Sequence, residues 1–335
     1  MSMTESPTLR VRGPEDLLGA VPYLLGFHPE ESLVVIGLDD TKVIVSARVD
    51  LADVQIPGIL PNLLDAIKRG AATRAVAAIF TDTITPSTAL AAFLGEQVER
   101  AGLELIDTLL VTGGRWWSVG CKDPVCCPPE GRPMPVAPTV LDAAATYAGL
   151  SALPNRAALA AIFQPEGDCP DLSAEIAQRQ SEQLGAILNG THTTHDRSAT
   201  RALFAAQRAA QAGLMPTDSE VARYAVALQS YPVRDALWLA LDDHRLEGLE
   251  LWVNLARRLP RPFDAAPLFL AAWCAYRDGN GALAAIAAEL ALVADPGYSA
   301  AELLLAALAR GIDPRTLPKL RAAASREGGD KGSSD

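Results

Sequence analysis

The chain has 335 residues, and 29 Lys and Arg set against 40 Asp and Glu leave a formal net charge of −11. An acidic chain carries no surplus of cations to displace counterions from a phosphate backbone, which argues against a nucleic-acid partner. Apolar residues make up 49% and charged residues 21%, a globular balance that excludes wholesale disorder, and at about 150 residues per domain the length accommodates two domains.

After a flexible tail predicted over 1–8, Leu9-Arg10-Val11-Arg12 alternates as a short strand and stops at Gly13. Pro14 then opens a helix with Glu15 and Asp16 in its first turn, where the macrodipole favours carboxylates. Leu17, Leu18, Val21, Leu24 and Leu25 form one apolar stripe, and Pro22 within it predicts a kink or break. Ser32–Leu38 and Lys42–Leu51 are β-branched runs around Asp39-Asp40-Thr41, which reads as a hairpin. Ile59–Gly70 has helical spacing, closed by Lys68, Arg69 and Gly70. Ala75–Thr81 is a buried strand, Ser87–Ala101 a second amphipathic helix and Leu105–Thr112 another strand. Gly113-Gly114 turns that strand back into Arg115–Gly120. The order predicts an α/β domain over 9–165, with a mixed sheet, two hairpins and crossover helices.

From Asp171 onward no alternating strand is visible. Helices are expected at about 172–188, 199–212, 218–229, 233–242, 246–258, 264–277, 281–294 and 298–310, joined by short Pro- or Gly-marked loops. Such loops favour antiparallel neighbours, so an all-helical domain of stacked hairpins is predicted over 166–320. Ala272, Gly279, Ala284 and Ala291-Leu292, counted back from Asp295-Pro296, fall where a tetratricopeptide repeat places its small contact residues and turn. An ordinary Ala-rich helical hairpin accounts for the same pattern. The Gly- and Ser-rich end, 321–335, reads as a disordered tail.

The charged N-terminus lacks the apolar core of a signal peptide. The run from Leu17 to Phe27 is eleven residues and is interrupted by Pro22, against about 20 for a bilayer span. No membrane association is expected. Five cysteines, three of them between Cys121 and Cys127, do not form a secreted disulfide framework, so a reducing cytoplasm is the expected location.

No G-x-G-x-x-G follows a strand, and no P-loop, G-x-S-x-G or H-E-x-x-H motif is present. The densest constellation runs from Gly113 to Gly131. Arg115, Trp116, Trp117 and Ser118 alternate along a strand, so one indole can face the core and the other a ligand or helix. With Asp123 in the following loop, these four are the candidate ligand-binding residues. Cys121, Cys126 and Cys127 follow in a Pro-rich loop. Three thiolates suit Zn²⁺, but a structural zinc site takes four ligands, commonly from C-x-x-C pairs, and the spacing here is C-x₄-C-C. Zinc is therefore not expected on spacing, although these cysteines are its candidate ligands. The same residues also read as reactive thiols aided by Lys122, Arg115 or Arg132, or as small side chains packing a rigid loop.

Gly26-Phe-His-Pro-Glu-Glu-Ser32 joins the first helix to a strand. His28 and Ser32 beside two carboxylates are candidates for proton transfer; equally, Ser32 or Glu31 can bond the loop backbone while His28 anchors the turn. His192-Thr-Thr-His195-Asp196 offers two imidazoles and a carboxylate, but Asp196 and Ser198 are ordinary helix-start residues ahead of the helix expected at Ala199.

The strings Asp16–Val35 and Arg115–Gly131, with Val233-Arg-Asp-Ala236 and Gly281–Tyr298, make the chain resemble the actinobacterial domain-of-unknown-function family numbered 4192. The resemblance spans nearly the whole chain. It implies a protein of high-GC Gram-positive bacteria with no transferable activity. It also implies signature positions at His28, Ser32, Arg115, Trp116, Trp117, Cys121, Asp123, Cys126 and Cys127.

The expected function is an intracellular binding or regulatory protein. Its α/β domain would hold a small ligand or a partner segment near the Phe27–Ser32 and Arg115–Cys127 loops, and its helical half would contact a protein partner. The alternative is a thiol- or metal-dependent enzyme using Cys121, Cys126 and Cys127 with His28 as base or ligand, which requires the two loops to meet at one sheet edge.

Overall fold

The computed structural model describes residues 11–40, 42–82, 87–135, 139–147, 150–167 and 169–317. The tails expected at 1–8 and 321–335 lie outside these residues, as do Leu9 and Arg10; Val11 and Arg12 belong to no strand. The described residues up to Leu159, with Ala309–Ile312, form one compact unit. Those of Ala160–Leu308 and from Asp313 onward form a second.

The first unit is the expected mixed α/β body. Its elements are α1 (Pro14–Leu25), β1 (Ser32–Asp39), β2 (Lys42–Asp50), α2 (Ile59–Arg69), β3 (Arg74–Phe80), α3 (Ser87–Arg100), β4 (Glu104–Thr112), β5 (Arg115–Ser118), β6 (Arg132–Pro133), α4 (Val140–Tyr147) and α5 (Arg156–Ala160) at its end. Six strands lie in the order β2-β1-β3-β4-β5-β6. The β1–β2 and β4–β5 pairs are the two expected hairpins. β3 runs antiparallel to β1 and parallel to β4, so β3–α3–β4 is a parallel crossover.

One face of this sheet carries Leu33, Val35, Ala77, Ile79 and Leu110, and packs on Leu60, Leu64 and Ile67 of α2 and Leu94 and Val98 of α3. Trp117 and Val119 extend the same layer at its β5 end. Pro22 is buried, and α1 runs unbroken through it. A proline removes a single backbone bond of the helix, and the stripe of Leu17, Leu18, Val21 and Leu25, all buried, anchors the residues on both sides of the gap.

The second unit holds eight α-helices among the described residues: α6 (Pro170–Leu188), α7 (His192–Gln211), α8 (Asp218–Ala227), α9 (Tyr231–Asp242), α10 (Glu250–Arg258), α11 (Ala265–Arg277), α12 (Gly281–Ala294) and α13 (Ser299–Ala309). α8 opens with a full capping box in which Thr217 and Glu220 each satisfy the other's backbone amide. α11 is buried on every side from Ala265 to Tyr276. It packs closely on α12 through Ala272, Ala284, Ala287, Ala288 and Ala291, all at most 1% exposed. The turn between them is Gly279 at φ 80°, where the sequence places it, and Asn280 caps α12 through the Leu283 amide.

α7 begins earlier than expected, at His192 rather than Ala199. Asp196 does not cap it. Its carboxylate instead accepts from the Ser230 hydroxyl at 2.9 Å, a tertiary partner that removes its reason to stop the helix. His192 and His195 are exposed in the first turns, and neither belongs to a group of metal-ligating atoms among the described residues. Among those residues, too, no helix is long and apolar enough to cross a membrane.

Candidate functional site

The Gly113-Gly114 turn, with φ 53° and 71°, reverses β4 into β5. Beyond Ser118 the chain leaves the sheet, loops through Cys121–Gly131 and returns as β6 beside β5. Side chains of β5 and β6 grip this loop by its carbonyls. Arg115 donates to Glu130 O at 2.5 Å and Gly131 O at 2.7 Å, Trp117 Nε1 to Pro129 O at 3.1 Å, and Arg132 Nε to Cys126 O at 2.6 Å. The Arg132 guanidinium lies 6.0 Å over the ring of the buried Trp116. Within the loop, Asp123 Oδ1 accepts from the Val125 amide at 2.8 Å, and Asp123 O accepts from the Cys127 amide at 2.7 Å.

That bracing gathers the three cysteines. The Sγ atoms of Cys121, Cys126 and Cys127 all lie within 4.8 Å of one another; Cys126 is exposed and the other two are half-buried. The thiols are not equivalent. The Asp123 amide, followed by the Cys127 thiol as a donor, lowers the pKa of Cys121. Burial, followed by the same sulfur–sulfur contact, pushes Cys127 up to about 11. Cys121 is thus the more acidic thiol of the cluster and Cys127 the less acidic one.

His28 is not a member of this group. It is exposed, its amide bonds Leu153 O at 2.9 Å, and its loop leads into β1. β3 and β4 separate β1 from β5, three strand spacings or about 14 Å. The juxtaposition required for His28 to serve the thiols as base or ligand is therefore not found. His28 is instead electrostatically tied to Asp142. Burial alone would raise that carboxyl. The Thr139 amide and hydroxyl, the Tyr23 hydroxyl at 2.9 Å and the charge of His28 together hold it below its usual range.

Ser32 is fully buried, donates to Glu30 O at 2.5 Å and accepts from Arg48 Nε at 2.8 Å. Glu31, at φ 37°, accepts from the Thr81 hydroxyl at 3.0 Å and the Asp82 amide at 2.7 Å. Glu31 thus ties the β1 entrance to the end of β3, and Ser32 ties it to Arg48 of β2.

A carboxylate that the motifs did not point to lies beside the thiol loop. The β3–β4 register skips Ile106, pairing Ala75 with Leu105 and Val76 with Asp107. This bulge places Asp107 in a cleft of about 350 Å³ lined by Ala91, Ile106, Thr108, Val119 and Gly120, the last adjoining Cys121 in the chain. Asp107 Oδ1 accepts from the Ser118 hydroxyl at 2.7 Å and the Thr108 amide at 2.8 Å. Burial nevertheless raises its pKa, outweighing both bonds. A charge in the middle of a strand otherwise rich in Leu and Val was the signal available in the sequence.

The raised pKa makes a signed prediction. A carboxyl whose pKa is higher folded than unfolded contributes stability that is complete below the unfolded value, about 3.9, and lost as pH rises through the folded one. Asn at this position retains an oxygen for both bonds and never ionises. Asp107→Asn is expected to raise the melting temperature near neutral pH, with the gain vanishing below about pH 4. A gain independent of pH would contradict this account of Asp107.

Fold and site together define a two-unit chain, a mixed-sheet α/β body with a braced three-thiol loop followed by a helical body of stacked pairs. The model of a domain of unknown function, DUF4192, matches residues 14–315, and the chain belongs to that family. No curated protein matches it. No solved structure matches it either.

Proposed function

We propose that this chain is a binding protein whose α/β unit takes a ligand at the cleft beside Asp107 and the adjoining thiol loop, while its helical unit contacts a protein partner. The observation that carries this reading is the convergence of three thiols on a loop braced by Arg115, Trp117 and Arg132, next to a cleft holding a desolvated carboxyl. Such a loop is pre-organised, so little ordering entropy opposes binding there. Arg115, Trp117 and Ser118 act in this reading as supports that shape the site, since their polar groups are engaged in bracing the loop or in bonding Asp107. For the helical unit, the support is an exposed apolar stripe on α6, Leu184, Ile187 and Leu188, at helical i, i+3, i+4 spacing.

The test is native mass spectrometry of the full chain isolated from its own host, alongside Asp107→Asn and Cys126→Ser, followed by amide exchange with and without a host metabolite extract. A mass excess on the wild type that either variant loses, or protection within 104–132, is expected. An unliganded mass together with unchanged exchange across 104–132 would remove the ligand-site reading.

A further inference from the structure

We propose that the Cys121–Cys127 loop is a binding site for one soft d¹⁰ metal ion, Zn(II) or Cu(I), held by three thiolates. This rests on the reading of the loop as a ligand site and names the ligand's chemical class.

Geometry comes first. An ion with metal–sulfur bonds of about 2.3 Å holds three thiolates about 4 Å apart in a planar arrangement and slightly closer in a tetrahedral one. Here the three Sγ atoms are already within 4.8 Å of one another. Two of them are adjacent in sequence, and the third is brought back across the four residues Lys122–Val125. The Asp123 Asx-turn, the Cys127 amide to Asp123 O and the Arg132 grip on Cys126 O maintain that turn without help from an ion.

The donor set selects the ion. Among the described residues, no imidazole or carboxylate joins the three sulfurs as a further ligand. The nearest acid in the loop, Asp123, turns its Oδ1 to backbone amides. A purely thiolate set discriminates against Mg²⁺, Ca²⁺ and Mn²⁺, which prefer oxygen donors, and favours Zn(II) and Cu(I). Three thiolates bring excess negative charge, and Lys122, Arg115 and Arg132 all belong to the same loop and strands. The Asp123 amide directed at the Cys121 sulfur is the type of outer-shell donor that stabilises a metal-bound thiolate. Entry from solvent is open, since Cys126 and its neighbour Val125 are exposed.

Binding transfers no electrons. Each thiol that ligates the ion releases its proton to buffer, and the sulfur lone pair forms the metal–sulfur bond.

The full chain, reduced, stripped with a chelator and desalted without oxygen, would be titrated with Zn(II) against a chromophoric zinc chelator and with Cu(I) against bicinchoninate. One equivalent of at least one ion is expected to bind and to protect Cys121, Cys126 and Cys127 from alkylation; the tighter arm identifies the ion. Cys126→Ser should weaken binding more than about 100-fold, beyond the roughly tenfold to 100-fold loss typical of an outer-shell contact. Cys126 is exposed, so this variant retains the fold, which circular dichroism checks. Cys169→Ser, at an exposed cysteine outside the cluster, should leave binding unchanged. Binding in neither arm, or binding equally strong in the triple serine variant, overturns the metal assignment. If a non-metal ligand is still lost from Asp107→Asn or Cys126→Ser in native mass spectrometry, the ligand site survives and the metal alone is excluded.

Discussion

Phe269→Ala is expected to remove about 3–5 kcal/mol from the stability of the helical unit. Phe269 is fully buried in α11, meets Trp238 edge-on with centroids 4.9 Å apart and leans on Tyr298 at 5.6 Å. Trp273 continues the cluster from Trp238 at 5.2 Å. Because α11 is enclosed on all sides, the cavity left by the ring cannot close by moving one neighbour, and the lost contacts add to the lost burial. Urea unfolding followed by far-ultraviolet circular dichroism reports the helical unit. Its midpoint should fall sharply. A loss below about 1 kcal/mol would show that α11 is not the packed centre of its unit.

Gly131→Ala is the second large effect, and it acts on the site. Gly131 sits at φ 75°, where an L side chain is strained by about 1–3 kcal/mol. An added Cβ would also lie 2.9 Å from Trp117 Cδ2 and closer still to Cε2 and Cζ2. The indole cannot yield freely, because it packs against the core and donates to Pro129 O. The loop must therefore lift from β5, loosening the Arg115 bonds to Glu130 and Gly131. Faster alkylation of Cys127 and a red-shifted Trp117 emission are expected, with a stability loss of at least about 2 kcal/mol. Unchanged alkylation rates at all three thiols would argue that the loop geometry does not depend on this glycine.

Much of the fold could be read from residue order. Helical spacing located α2 and α3, β-branched runs located β1 and β2, short apolar runs located β3 and β4, and Gly113-Gly114 marked the second hairpin. Local rules failed where a distant contact outweighed them. Ser230 supplies Asp196 with a partner that no window around His192 contains, and the buried flanks of Pro22 hold α1 together across it. β6 is two residues long, too short to show any alternation. Asp107 is placed by a register skip at Ile106, a property of the β3–β4 pair rather than of either strand alone. The thiol loop was visible as a cluster of cysteines, but its convergence depends on carbonyls gripped by Arg115, Trp117 and Arg132. Excluding His28 from it required the strand order, with β3 inserted between β1 and β4.

The short return strand β6 also limits how this sheet can grow. The Met134 amide points inward to Gly114 O at 2.8 Å, so the alternate position, Pro133, faces outward. Proline has no N–H to offer an incoming strand, and polymerisation by strand addition is blocked on that side. Among the described residues the other end of the strand order is β2, so edge-to-edge association with a second molecule, or capture of an extended peptide, is left to that strand.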